Sequence, residues 1–404
     1  MKELSIAVVR EGKIPQDTRT PLAPRYAVEL VGMYSYLKIK VESSPIRCYT
    51  DEEYLKYGVS VTDQVKDCEL FIGVKEVPSH LLVPEKTYMF FSHTIKKQQH
   101  NKHLLQEVIK KKIRLIDYEL LVDDKGARII GFGHFAGLVG AHYALKMWGK
   151  RTQLYNIKPA VLCKDLKETL LQYAGLDFGD ARIVITGKGR VGKGAEEIMF
   201  HAGIPYVSPQ DFIEENQSRA VYTQIDADEI HINKDGKAFN FQHFFSHPGE
   251  YNSNFYRFAQ KANVLINCIY WDSRSPRLFE EEDVKKWDFR IRTISDISCD
   301  IFGSVPITHR ASAISDPIFG YNIQTGEETL PYQCETIDMM TVDNLPNELP
   351  RDASKVFSDI MINTILPKYI QDPYDDIFTR ATIAENGKLM PKYSYLQEWI
   401  DEKD

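Results

Sequence analysis

A glycine loop lies in the middle of the chain. Ile183-Val184-Ile185-Thr186 enters Gly187-Lys188-Gly189-Arg190-Val191-Gly192, and Lys193-Gly194-Ala195-Glu196-Glu197-Ile198-Met199 leaves it. An apolar strand-like run feeding G-x-G-x-x-G, with a helical pattern after it, is the setting of a dinucleotide fingerprint. The first glycine makes the tight turn, the second admits a pyrophosphate, and the third lets helix and strand pack closely. The helix start adds free N–H groups and a positive dipole end for the phosphates.

A second set of chemical residues precedes this loop by a domain's length. Arg19 follows the first strand-like run, in Gln16-Asp17-Thr18-Arg19-Thr20-Pro21-Leu22. Lys75-Glu76 ends Leu70-Phe71-Ile72-Gly73-Val74, and His93 ends Met89-Phe90-Phe91-Ser92, with Lys96 and Gln98 just beyond. Open α/β sheets bind ligands at the carboxyl ends of their strands, so three strands would deliver these groups to one rim. A guanidinium holds a carboxylate in a two-pronged fork. A lysine crowded by cations can serve as a base near neutral pH, and histidine donates or accepts a proton untuned. Reduction of an imine needs that set: anchors for carboxylates, and an acid/base pair for the amine and the water.

The elements that position these groups alternate. Strand-like runs at 4–9, 39–41, 70–74, 88–92 and 113–117 are separated by helical patterns, notably 24–37 and 101–112. That is βαβ logic and predicts a mostly parallel sheet. Residues 135–150 read as a buried linking helix. After the glycine loop the pattern predicts a second strand at 204–208 and later strands at 264–270 and 291–297. Asp211 lies nineteen positions after Gly192. It is either the acid on a ribose 2′-hydroxyl or an N-cap or turn aspartate. Tyr270 and the run Asp296-Ile297-Ser298-Cys299-Asp300 end later strands, where a nicotinamide would lie. Asp343, in Thr341–Pro346, comes just before the chain returns to the first domain. Residues 221–255 break the rhythm and read as an insertion, with Asn233–Lys237 a hairpin-like turn. A final helix is predicted over 352–369, packing back on the first domain.

The expected fold class is α/β: two Rossmann-like domains with mostly parallel sheets and an active site in the interdomain cleft. Residues 1–135 with 350–404 form the substrate domain, and 136–349 the NAD(P)-binding domain.

Composition is that of a globular protein, 43% hydrophobic and 26% charged, with mean hydropathy −0.34. The net charge of −7 provides no field for nucleic acid or anionic membrane. The 6 cysteines have no C-x-x-C spacing, which argues for a reducing compartment and no structural zinc. No signal peptide or spanning segment is read, and a cytoplasmic protein is expected. His243 and His247 share i, i+4 spacing without a carboxylate motif, and no metal is expected there. His134 reads as a satisfied junction histidine.

The chain resembles the lysine-forming saccharopine dehydrogenases, within the alanine dehydrogenase and transhydrogenase family. It looks closest to the lysine–2-oxoglutarate reductase half of the bifunctional semialdehyde synthases. The resemblance rests on Arg19–Pro24, Gly73-Val74-Lys75, Phe90–Lys96, Arg114–Glu119, Ile266–Trp271, Asp296–Asp300 and Asp343–Pro346. It implies small-molecule substrates, an amino acid and a 2-oxo acid: lysine's ε-amine condenses with 2-oxoglutarate, and the imine is reduced by a nicotinamide to saccharopine. By position Lys75 and His93 match the acid/base pair. Arg19, Lys96, Gln98 and Arg128 match substrate-binding positions, and Glu76 on the same rim is grouped with them. Gly187, Gly189, Val191 and Gly192 belong to the cofactor loop. Arg190, Asp211, Tyr270, Ile297, Asp300 and Asp343 match positions lining the cofactor or the cleft, with Ser298 beside them. In the NAD-dependent branch the loop carries a cysteine where this chain has Val191, so a disulfide to Cys268 is not expected. An end at Asp404 implies the lysine-forming half-reaction alone. NAD or NADP is the expected cofactor, with NAD favoured by the acid at 211. An alanine dehydrogenase-like deaminase shares the Arg, Lys and His positions. A catalytically silent NAD(P)-binding regulator needs no acid/base pair.

Overall fold

Short runs rich in Val, Ile and Leu, each bounded by polar or glycine residues, are strands buried on both faces. The computed structural model describes residues 3–215 and 218–402. The chain divides into one unit of Met1–Phe132 with Pro350–Asp404 and another of Gly133–Leu349.

In the first unit, β1 (Leu4–Val8), β2 (Leu37–Val41), β3 (Ser60–Val61), β4 (Leu70–Ile72), β5 (Thr87–Phe90) and β6 (Arg114–Asp117) are all parallel. Strands Thr382–Glu385 and Lys388–Leu389 add antiparallel at the β6 edge. The order across the sheet is 388–389, 382–385, β6, β5, β4, β1, β2, β3. The chain therefore leaves β1 to one side and returns on the other at β4. That is a topological switch point, where open sheets hold ligands. The C-terminal helix runs from Pro350 to Gln371 through a π-turn at Met361–Ile365. It contributes Phe357, Met361 and Ile365 to this unit's core. Its Ser354 and Ser358 hydroxyls accept the backbone N–H groups of Thr20 and Ala23 at 2.9 and 2.8 Å, which pins the loop carrying Arg19.

In the second unit, β7 (Arg182–Thr186), β8 (Val221–Ile225), β11 (Val264–Asn267), β12 (Thr293–Asp296) and β15 (Thr336–Met340) are parallel. Antiparallel β13 (Ile318–Asn322) and β14 (Glu328–Thr329) close the edge. The order is β14-β13-β15-β12-β11-β7-β8. A separate pair, β9 (His231–Asn233) and β10 (Tyr251–Ser253), stands outside the sheet. The helix Gly133–Thr152 is buried along most of its length.

Three expectations do not hold. Residues 204–208 are not a strand: Pro205 lacks an N–H, and this stretch has only an isolated bridge, Tyr206 to Tyr222. The strand beside β7 is β8, so Val221–Ile225 is sheet and not insertion. Asn233–Gly236 is a turn, but it does not close a tight hairpin. β9 and β10 are joined through residues 234–250, which include a helix at Phe241–Ser246.

Candidate active site

The carboxyl ends of β1, β4, β5 and β6 lie side by side and carry a dense set of charges. After β1, Arg19 is 2% exposed and its guanidinium engages both oxygens of Asp17, at 2.9 and 2.5 Å. It also lies 4.0 Å over the Phe132 ring. The fork read as a carboxylate anchor is thus already engaged by Asp17. Glu11, also after β1, accepts the backbone N–H groups of Val74 and Lys75 at 2.6 and 2.8 Å. Burial pushes its carboxyl up to about 8, with the Asp17 charge adding to the shift.

Lys75 follows β4. Burial, then the neighbouring Arg19 and Lys13 charges, lower its ammonium to about 8. Next to it, Glu76 meets Lys13 at 3.0 Å and faces Nδ1 of His93 at 3.7 Å, beyond hydrogen-bond range. Burial opposes ionisation of Glu76, but His93 and Lys13 hold its pKa below the ordinary value. His93 has φ of +53°, a left-handed conformation that a non-glycine residue adopts at a cost of about 1–3 kcal/mol. Its ring lies parallel to Phe91 at 6.3 Å. Strain of this kind at a strand end is one mark of a functional position.

After β6, Asp117 is buried and accepts from the Ser92 N–H and hydroxyl and from the Glu119 N–H. Glu119 meets Lys96 at 3.2 Å and Arg128 at 2.9 Å. Burial opposes its ionisation, and those two cations outweigh it and lower its pKa. Gln98 is exposed and accepts from Asn101 at 3.3 Å. Lys75, Glu76, His93, Lys96 and Arg128 are therefore members of one rim. Glu11, Lys13, Asp17 and Glu119 were missed by sequence reasoning. The signal for the first three was the one used for Arg19, charged residues directly after a strand.

In the second unit a cavity of about 530 Å³ opens at the carboxyl ends of β7, β8, β11 and β12. Gly187, Gly189, Arg190, Val191, Tyr270, Ile297 and Ser298 line it. Gly187 turns with φ of +84°. A Cβ on Gly192 would lie 2.0 Å from the Gly187 carbonyl oxygen, so this glycine serves packing beneath the loop. At Gly189 a Cβ would meet nothing within 4 Å, leaving open space for a ligand. Gly189 begins the helix Arg190–His201 without a side-chain cap, so its first N–H groups are offered to an anion. These features fit a dinucleotide's phosphates. The floor is a buried network. Asn267 accepts from Thr186 at 2.7 Å and donates to Asp296 at 2.8 Å and Ser304 at 2.9 Å. Thr308 donates to Asp296 at 2.6 Å.

Asp211 is not a cavity residue. It sits in the helix Pro209–Glu214, where Ser208 caps its backbone N–H at 3.1 Å and donates to its carboxylate at 2.7 Å. The strand expected to present it is absent. The acid at the end of β8 is Asp226, which lines the cavity and caps Ala227 at 2.9 Å. Asp300 and Asp343 are exposed and lie close enough to Cys299 that, after burial and Asp296, their charges help raise its thiol. His134 pairs with Glu197 at 3.0 Å. His243 pairs with Glu250 at 3.4 Å and contacts the Tyr251 hydroxyl at 3.1 Å. No helix among the described residues is long and apolar enough to cross a membrane.

Residues 7–139 match the model of the alanine dehydrogenase/PNT N-terminal domain. The chain is 30% identical over 447 residues to the mitochondrial alpha-aminoadipic semialdehyde synthase of Bos taurus, covering 99% of this chain and 48% of the relative. It thus spans about half the length of that relative. It is 26% identical over 372 residues to the saccharopine dehydrogenase [NAD(+), L-lysine-forming] of Emericella nidulans, covering 87% of this chain and 89% of the relative. Among solved structures, an L-alanine dehydrogenase superposes with a TM-score of 0.68 at 16% identity, over 98% of this chain and 100% of the other. The chain is thus similar in sequence to the alpha-aminoadipic semialdehyde synthases and the lysine-forming saccharopine dehydrogenases, and it has an alanine dehydrogenase-like fold.

Proposed function

We propose that this protein is a nicotinamide-dependent oxidoreductase that interconverts L-lysine plus 2-oxoglutarate with saccharopine. The observation that carries the reading is Lys75. It is a buried lysine at a sheet switch point, its pKa lowered to about 8 by burial and by Arg19 and Lys13, with His93 and Glu76 beside it. A binding module has no use for a lysine tuned toward neutrality. The L-lysine-forming saccharopine dehydrogenase among the relatives supports lysine and saccharopine as reactants, and the glycine loop supports the cofactor class.

In the lysine-consuming direction, neutral Lys75 takes a proton from the ε-ammonium of substrate lysine. The freed amine adds to the 2-oxo carbon, a C–N bond forms, and the carbonyl π pair becomes an alkoxide that takes a proton from the now cationic nitrogen, leaving a neutral carbinolamine. His93 then gives its proton to the carbinolamine hydroxyl as water leaves, and the nitrogen lone pair completes the C=N bond. Glu76, held ionised, keeps a carboxylate 3.7 Å from Nδ1 of His93. Lys96 and Arg128 offer cationic hydrogen-bond donors to substrate carboxylates, although Glu119 shares them. A bound nicotinamide supplies the two electrons and hydrogen that reduce the imine. Gly187–Val191 and Asp226 would hold it.

The deciding experiment follows NAD(P)H absorbance with lysine plus 2-oxoglutarate, then with ammonia plus pyruvate. Oxidation with the first pair alone supports the reading. Turnover with the second pair alone makes the chain an alanine dehydrogenase-type enzyme. No turnover with either leaves the regulator reading standing.

A further inference from the structure

The cavity of the second unit has one wall that a Rossmann sheet does not require. Residues between β8 and β11 leave the sheet and fold into the β9/β10 pair with the helix Phe241–Ser246 beside it. Phe244 is the buried centre of this piece: its ring lies 4.5 Å from His231 and 5.1 Å from Tyr251. Phe239 ties in the edge, 5.0 Å from Phe241 and 5.5 Å from Phe244. Asn240 caps the helix at 2.9 Å. This packing fixes a platform, yet Phe245 is 68% exposed and Phe241 46% exposed. Both line the cavity that holds the glycine loop, with Asp226 on the same lining.

Two phenyl rings left bare on a rigid platform facing a cavity suit a flat, uncharged, aromatic guest. The glycine loop accounts for a diphosphate, and Asp226 at the strand end for a ribose hydroxyl. The remaining part of such a ligand is its adenine. We propose that the segment 239–251 is the adenine-binding wall of the cofactor site, with Phe245 the ring that covers the base and Phe241 its edge. This rests on the nicotinamide reading above. It gives the segment a ligand-binding role rather than that of a surface elaboration.

The test is calorimetric titration of the full chain with NAD+, NADP+ and ADP-ribose, for the wild type, Phe245→Ala, Phe241→Ala and Phe245→Tyr. ADP-ribose carries the adenosine without the nicotinamide. Phe245→Ala is expected to weaken ADP-ribose and whichever dinucleotide binds by the same factor, roughly five- to a hundredfold, the scale of aromatic stacking on a base. Phe245→Tyr should restore binding, and Phe241→Ala should show a smaller loss. Because Phe245 is exposed, its melting temperature should stay that of the wild type. If Phe245→Ala does not fold, Phe241→Ala carries the test. Unchanged affinities in a wild type that binds cofactor overturn the adenine wall alone, as does a loss for the dinucleotide that spares ADP-ribose. A wild type that binds none of the three overturns the nicotinamide reading itself.

Discussion

The carboxylate of Glu11 accepts the backbone N–H of Lys75 at 2.8 Å, while its other oxygen takes that of Val74 at 2.6 Å. The residue after β1 thus clamps the chain where β4 presents its lysine. Its folded pKa, pushed up to about 8 by burial, lies above that of an exposed glutamate. The folded state then binds more protons than the unfolded state between the two values. The stability contribution is full below the unfolded pKa and is lost as pH rises through about 8. Glu11→Gln cannot titrate. Relative to wild type, the variant is expected to gain stability between pH 5 and pH 8, with a slope below about 1.4 kcal/mol per pH unit. Urea denaturation midpoints at the two pH values check this. A difference that does not change with pH removes Glu11 from the titrating groups.

Lys75 should govern the pH dependence of turnover. Its pKa of about 8 means that the neutral, basic form grows as pH rises through that value. Activity in the lysine-consuming direction should carry a rising limb near pH 8 that Lys75→Ala abolishes. Lys75→Ala and His93→Ala should each lower kcat by about two to four orders of magnitude. Cofactor affinity should survive, because the glycine loop belongs to the other unit. Near-wild-type turnover in both variants would sink the mechanism.

Arg19→Ala should damage the protein before it reports on substrate. Removing the guanidinium leaves Asp17, fully buried, without its two-pronged partner. Breaking one side of a buried pair costs about 3–5 kcal/mol. A fall in melting temperature should accompany any rise in KM for the carboxylate substrate. The double change Arg19→Met with Asp17→Leu should recover much of the stability without restoring KM. If Arg19→Ala keeps its melting temperature and loses only substrate affinity, the guanidinium serves the ligand and not Asp17.

The parts of the fold that were legible carried a physical signature within a few residues. β7 and the glycine loop announced themselves because strand, turn and helix are contiguous. The helix through 350–371 was legible despite Pro367, because its apolar residues keep helical spacing. The run Ile204-Pro205-Tyr206-Val207-Ser208 misled because its apolar composition is strand-like, while Pro205 denies it a donor. β8 falls in the stretch 221–255 whose broken rhythm reads as an insertion, and its polar Thr223 and Gln224 give no sequence signal of a buried strand. Both are buried, and Gln224 donates to the Gly187 carbonyl at 2.9 Å. The clamp from Glu11 joins residues more than sixty positions apart, and no local pattern encodes it.

The misplaced strand decides the last prediction, cofactor choice. An acid at the end of the strand beside the glycine loop accepts from a ribose 2′-hydroxyl and repels a 2′-phosphate. Asp211 stands outside the cavity in its own helix cap, and Asp226 stands at the end of β8 on the cavity wall. Asp211→Ala is expected to leave the ratio of NAD to NADP affinity unchanged. Asp226→Asn keeps an oxygen to cap Ala227 but removes the charge. It should raise the affinity for NADP relative to NAD by about tenfold, on the order of the 1.4 kcal/mol that one such factor represents. Titrating both cofactors against wild type and both variants checks the pair. A ratio that moves with Asp211 and not with Asp226 would return the ribose to the position first read from the sequence. It would also mean that the cavity at the end of β8 does not hold the ribose.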